Sequence, residues 1–186
     1  MSNTNWALDP SHSHVGFKVK HLMFTNVNGR IGQYKVTVES GSDDFNDAQI
    51  AFTAEVNSIT TGEAARDGHV MGADFFNAEK FPQINFKSTS YKKVSDGNYE
   101  LVGNLTMLDV TKPVTLAVEY AGMMKDPWGN IKTAFAISGK INRKNWGLTY
   151  NAALETGGVL IGEEVSINAE IQMVKKAVEA TTEVVA

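Results

Sequence analysis

The sequence predicts an all-β protein, an eight-stranded antiparallel barrel with short helical insertions. Two observations carry that expectation. About eight segments alternate apolar and polar residues with the period of a half-buried strand. The joints between them are rich in Gly, Asn, Asp and Pro, which supply positive φ or preset a turn.

Taken in order, Val15, Phe17, Val19 and His21 share one face of a strand starting at Ser13, with His14, Lys18 and Lys20 on the other. Asn28-Gly29 reads as the following turn. Tyr34, Val36 and Val38 form a second alternating set, and Ile50, Phe52, Ala54 and Val56 a third. Ile84, Phe86, Ser88 and Ser90 give the fourth, and Leu101, Gly103, Leu105 and Met107 the fifth. Val114 to Tyr120, Ile131 to Ile141 and Val165 to Met173 complete the pattern. Ser95-Asp96-Gly97-Asn98 and Asp126-Pro127-Trp128-Gly129-Asn130 mark hairpins. Closing such a meander on itself leaves no exposed edge, whereas a two-sheet sandwich, the competing architecture, does.

Two stretches break the alternation. Gly62 to Ala78 holds the helix formers Glu63-Ala64-Ala65-Arg66 and reads as a short helix with a lid-like crossover. Asn142 to Gly162 reads as a second short helix and loop, carrying Trp146 and Tyr150. Residues 1–174 are expected to form a single domain and 175–186 a frayed tail.

Composition excludes more than it suggests. The 186 residues hold 17 Lys and Arg against 21 Asp and Glu, a net charge of −4, so no basic stripe awaits nucleic acid. There is no cysteine, which removes thiolate nucleophiles, disulfides and cysteine-bound metals. No apolar run reaches the ~18–20 residues of a membrane helix, and the N-terminus reads as lacking a signal peptide, so the cytoplasm is the expected location. Catalytic signatures (a Gly-x-Ser-x-Gly elbow, a His-Glu-x-x-His helix, a phosphate loop) are missing, and no catalytic residue is nominated. His12 and His14 have chelating spacing but no third ligand, so no metal is assigned.

The inward-facing set bears on whether such a barrel is filled. Gly103, Gly139, Ala54, Ala169, Ser88, Ser90 and Thr133 interrupt it, where a close-packed core would read Leu, Ile, Val and Phe. A hollow, mostly apolar lumen suits an elongated lipid-like molecule. The competing reading is a solid barrel whose small residues serve taper and bends. The nominated lumen residues are Val15, Phe17, Val19, Phe52, Phe86, Leu105, Met107, Val118, Phe135 and Ile137, with Phe76 and Trp146 at the mouth. His21, Arg66 and His69 are the candidate donors to a ligand's polar head, with Asp67 orienting one of them. Arg143-Lys144 is read as a solvated or carboxylate-bound pair.

Several segments together resemble the YceI-like family. Trp6-Ala7-Leu8-Asp9-Pro10-Ser11-His12-Ser13 opens the match, and Arg66-Asp67-Gly68-His69, Asp74-Phe75-Phe76 and Phe81-Pro82-x-Ile84-x-Phe86 continue it. Gly103-Asn104-Leu105-Thr106, Val110-Thr111-Lys112-Pro113-Val114 and Asn142-Arg143 before Gly147-Leu148 follow in family order. The resemblance implies a lipocalin-like barrel that binds a polyisoprenoid or isoprenoid-quinone-like lipid, forms a homodimer and has no established catalysis or other cofactor. Val70-Met71-Gly72 stands where the family often has a basic residue and Ser, which favours a neutral head group. The alternatives are an enzyme acting on an isoprenoid or quinone intermediate through His21 or His69 with Asp67, and a stress-related structural protein with a filled barrel.

Overall fold

The alternating segments pair entirely antiparallel in the computed structural model, which describes residues 4–176. The strands are β1 (Thr4–Leu8), β2 (His14–His21), β3 (Thr25–Ile31), β4 (Tyr34–Ser40), β5 (Gln49–Glu55) and β6 (Ile59–Thr60). The one α-helix among the described residues, α1 (Ala64–Met71), precedes β7 (Gln83–Ser95), β8 (Asn98–Met107), β9 (Val110–Lys125), β10 (Ile131–Asn142) and β11 (Ile161–Lys175). β1 and β2 lie end to end along β11, split by a 3-10 turn at Pro10–His12. β3 and β4 likewise share one lane, as do β5 and β6. The eleven strands therefore make eight lanes in sequence order, and β11 closes the ring onto β1 and β2. This is the closed up-and-down barrel that alternation predicts.

Three local expectations are corrected. Asn28-Gly29 is not a turn but the middle of β3, where Gly29 pairs with Phe17. The turn falls earlier, at Leu22–Phe24, because Gly29 is needed under the Phe17 ring: a Cβ there would lie 2.1 Å from Phe17 Cζ. Ser90 leaves the inward phase because a bulge between Ser88 and Ser90 hands that position to buried Tyr91. The first residue of the expected tail is also in the barrel, since Lys175 ends β11 and pairs with Trp6. The remainder of the expected tail, 177–186, lies outside the described residues.

One end of the barrel is plugged. The 41–48 loop turns Phe45 inward, where it is 1% exposed and meets Trp6 at 5.2 Å and Phe135 at 5.2 Å between ring centroids. Phe45 has φ +57, and the loop is held by Asp47, which accepts from Ser40 Oγ at 2.6 Å and the Gly41 N–H at 2.9 Å. These bonds keep the Asp47 carboxyl below the usual carboxylate range. Tyr120 and Tyr99 extend the aromatic plug, and Tyr91 stacks on Tyr99 at 4.7 Å.

The other end is covered by α1 and the 72–82 segment. Glu63 caps the helix by accepting from the Ala65 and Arg66 N–H groups. Asp67 ties it to the barrel, accepting from Thr60 Oγ1 (2.7 Å), Thr61 N (2.7 Å) and Thr61 Oγ1 (2.6 Å). Asp67 thus anchors the helix to β6 and the residue after it; it reaches Arg66 only through the shared Thr61 hydroxyl and makes no hydrogen bond to His69.

Candidate functional site

Between plug and cover lies a cavity of ≈ 280 Å³. That far exceeds the ~10–15 Å³ that one water needs by the same kind of measure. Its wall comes from every lane of the barrel, and its surface is essentially free of polar atoms. Arg143 is the one residue with a polar side chain among those lining it. Water gains almost nothing from such a space, so an apolar guest faces no competition for hydrogen bonds.

Val15, Phe17 and Val19 on β2, Phe52 on β5, Phe86 on β7, Leu105 and Met107 on β8, Ile137 on β10 and Phe76 of the cover all stand on this wall. Three nominated residues do not. Val118 and Phe135 line an adjoining void of ≈ 60 Å³ at the plugged end, which shares wall residues such as Leu101 and Ile137 with the main cavity, because the inward phase of β9 and β10 reaches the plug there. Trp146 is 2% exposed and donates its indole N–H to Leu105 O at 2.9 Å, so it packs against the wall without reaching the lumen. Val70, Phe75 and Leu148 line the mouth unforeseen because they sit in segments with no strand period, and Ile161 because an irregularity between it and Val165 separates it from the alternating run of β11.

The three nominated head-group donors lie off the cavity wall and are not brought together at one point of it. Arg66 donates to Thr61 Oγ1 (2.7 Å) and Thr61 O (3.1 Å) on the outside of the cover. His69 Nε2 is 3.2 Å from Asp74 Oδ2, and its ring packs edge-on to Phe75 and Tyr150. His21 sits at the last β2 pair, opposite Ile161 and Thr25.

Arg143 corrects the expectation of a solvated pair. Lys144 does bind a carboxylate, Glu163 at 2.5 Å, but Arg143 is 4% exposed and has three carbonyl acceptors instead. It donates to Gly162 O (2.8 Å), Leu148 O (2.5 Å) and Ile161 O (3.3 Å). Burial pushes its pKa down from the usual arginine value, opposed by nearby Glu163. The guanidinium therefore fastens both ends of the 148–162 loop, the rim of the mouth, rather than presenting charge to the lumen. Among the described residues, no three His, Asp or Glu side chains gather as a metal cage. No helix among them is long and apolar enough to cross a membrane.

A plugged antiparallel barrel around an apolar lumen places the protein among the lipocalin-like barrels. The YceI-like domain model matches residues 6–173, and the chain belongs to that family. It is 39% identical over 172 residues to UPF0312 protein SAS2572 of Staphylococcus aureus (strain MSSA476), covering 91% of this chain and 96% of that one. The crystal structure of Campylobacter jejuni YCEI protein superposes with a TM-score of 0.73 at 28% identity, covering 92% of this chain and 98% of that one. A polyisoprenoid binding domain from Saccharophagus degradans, implicated in plant cell wall breakdown, shares the fold with a TM-score of 0.66 at 10% identity, covering 92% and 98%.

Proposed function

We propose that the protein binds and carries a long apolar molecule of the polyisoprenoid or isoprenoid-quinone class inside the barrel, without chemically changing it. The observation that carries this reading is the ≈ 280 Å³ lumen walled by Val, Ile, Leu, Phe and Met side chains. No carboxylate, imidazole or hydroxyl side chain lines it, so the wall offers an acid–base reaction no group to work with. The fold is also that of a domain described as polyisoprenoid-binding. With the wall free of polar surface, a head group sits at or beyond the mouth and contributes little to recognition.

Native mass spectrometry after detergent-free purification tests the proposal. The expected result is a retained adduct, or a stoichiometric one after adding a polyprenyl alcohol. A mass that stays that of the bare chain under saturating polyprenyl alcohol refutes it. Recovery of a chemically altered polyprenyl compound refutes the non-catalytic part.

A further inference from the structure

The β2–β3 hairpin ends in Leu22-Met23-Phe24, at 46%, 63% and 84% exposed. Leu22 and Met23 hold φ of +54 and +57, a region that Gly or Asn adopts far more readily. The chain thus keeps two bulky apolar side chains where the backbone disfavours them, and directs three in a row to solvent. The tip stands at the mouth: His21, the residue before it, pairs with Ile161, which lines the lumen, as does Val19.

Charge marks the same element. Although the chain carries a net charge of −4, there is no Asp or Glu between Asp9 and Glu39, while Lys18, Lys20, Arg30 and Lys35 fall in that interval. Lys18, Lys20 and Arg30 share the outer face of the hairpin, are exposed, and form no ion pair among the described residues. On adjacent β11 and its start, Glu164 and Glu163 are taken up by Lys140 (2.8 Å) and Lys144 (2.5 Å). Glu155 is the carboxylate of the loop that abuts the tip, where Gly158 approaches Met23.

We infer that this hairpin docks the mouth of the barrel on an anionic lipid bilayer, Leu22, Met23 and Phe24 entering the interface and Lys18, Lys20 and Arg30 facing the headgroups. A narrow three-residue tip suits a bilayer, which takes up apolar side chains singly, better than a protein partner, whose stable contacts need ~800 Å² a side. Docking rests on the tip and its charges, and stands or falls separately from the lumen's contents.

The test is flotation of the full-length protein with vesicles of phosphatidylcholine alone and with about one third phosphatidylglycerol. Binding is expected to the anionic vesicles, weakening as salt screens the lysines. Replacing Met23→Ser and Phe24→Ser together lowers partitioning at least ~10-fold. Lys18→Gln with Lys20→Gln lowers it by ~5-fold per charge. Trp128→Ser, at the exposed apolar hairpin of the opposite end, leaves it unchanged. Equal partitioning of the tip variant, a loss in Trp128→Ser instead, or no vesicle binding by the unaltered protein overturns the inference. So does sedimentation showing that the tip variant turns a dimer into monomers, which assigns the tip to a second copy. Native mass spectra and flotation of the unaltered protein with a polyprenyl alcohol separate the two ideas: loading without docking sinks only the docking, and docking without loading sinks only the lumen reading.

Discussion

Ala169→Phe builds a ring into the lumen from one point of its wall. Ala169 lies on β11 between Val15 and Ile137, all three line the cavity, and it is 9% exposed. At ~24 cal/mol per Å³, leaving ≈ 280 Å³ empty forgoes about 7 kcal/mol of packing, so an added ring has favourable contacts to make and no strain to impose. Ligand at a hundred times its Kd adds about 2.7 kcal/mol to the stability of the unaltered protein. For a chain of this size each kcal/mol moves Tm by about 2–4 °C, so scanning fluorimetry with and without a polyprenyl alcohol should show a rise of roughly 5–11 °C. In Ala169→Phe that ligand-induced rise should vanish, while the ligand-free Tm stays level or increases. Overpacking a filled core costs about 1–3 kcal/mol. A ligand-free Tm several degrees below that of the unaltered protein would therefore show that no space exists at Ala169. An undiminished ligand shift would place binding elsewhere.

Arg143→Met keeps the side-chain length but strands the carbonyls of Leu148, Ile161 and Gly162, and should destabilise by about 3 kcal/mol or more in urea denaturation. Gly29→Ala drives a Cβ into the Phe17 ring and forces it toward the lumen; the expected outcome is weaker ligand uptake by titration with a stability loss of about 1–3 kcal/mol. Asp9 accepts from Ser11 Oγ (2.7 Å), Gln172 Nε2 (2.8 Å) and Lys132 Nζ (3.4 Å) and lies 3.0 Å from His12 Nδ1, and these bonds, led by that from Ser11, hold its carboxyl well below 3.8. Because the folded-state pKa is depressed, its stabilisation is complete above the ordinary carboxylate range and fades as pH falls through the depressed value. Asp9→Asn should accordingly melt a few degrees lower at pH 7, with the gap closing as pH drops below about 3.8.

The barrel was legible because its strands are half-buried, and half-burial writes a period of two into the sequence. β3 escaped because its seven residues, Thr-Asn-Val-Asn-Gly-Arg-Ile, carry few apolar side chains and include the strongest turn dipeptide. β1 escaped because it is short and takes its place by pairing with β11 at the far end of the chain. The mouth was harder still. Val70, Phe75 and Leu148 reach the lumen from a helix and loops, where no period announces an inward face. Arg143 beside Lys144 looks like a solvated pair, and only the folded chain brings three carbonyls of the 148–162 segment around it.

The small inward residues predicted a hollow, and Ala169 does border it, but the space does not lie at the inward glycines themselves. A Cβ on Gly103 would lie 2.3 Å from Phe86 Cζ, one on Gly139 would lie 2.4 Å from Leu116 Cδ2, and one on Gly29 would overlap the Phe17 ring. Each of these glycines is covered by a large side chain from a paired strand: Phe86 beside β8, Leu116 beside β10 and Phe17 beside β3. Glycine here is a berth that lets a large side chain lie against the sheet instead of standing across the barrel. The taper reading of inward glycine and the hollow reading are therefore one mechanism: local close packing along the wall leaves the axis open. It follows that cavity volume in this barrel is governed by glycine–aromatic and glycine–leucine pairs across strands, and that enlarging a wall glycine narrows the lumen even where the wall itself still packs.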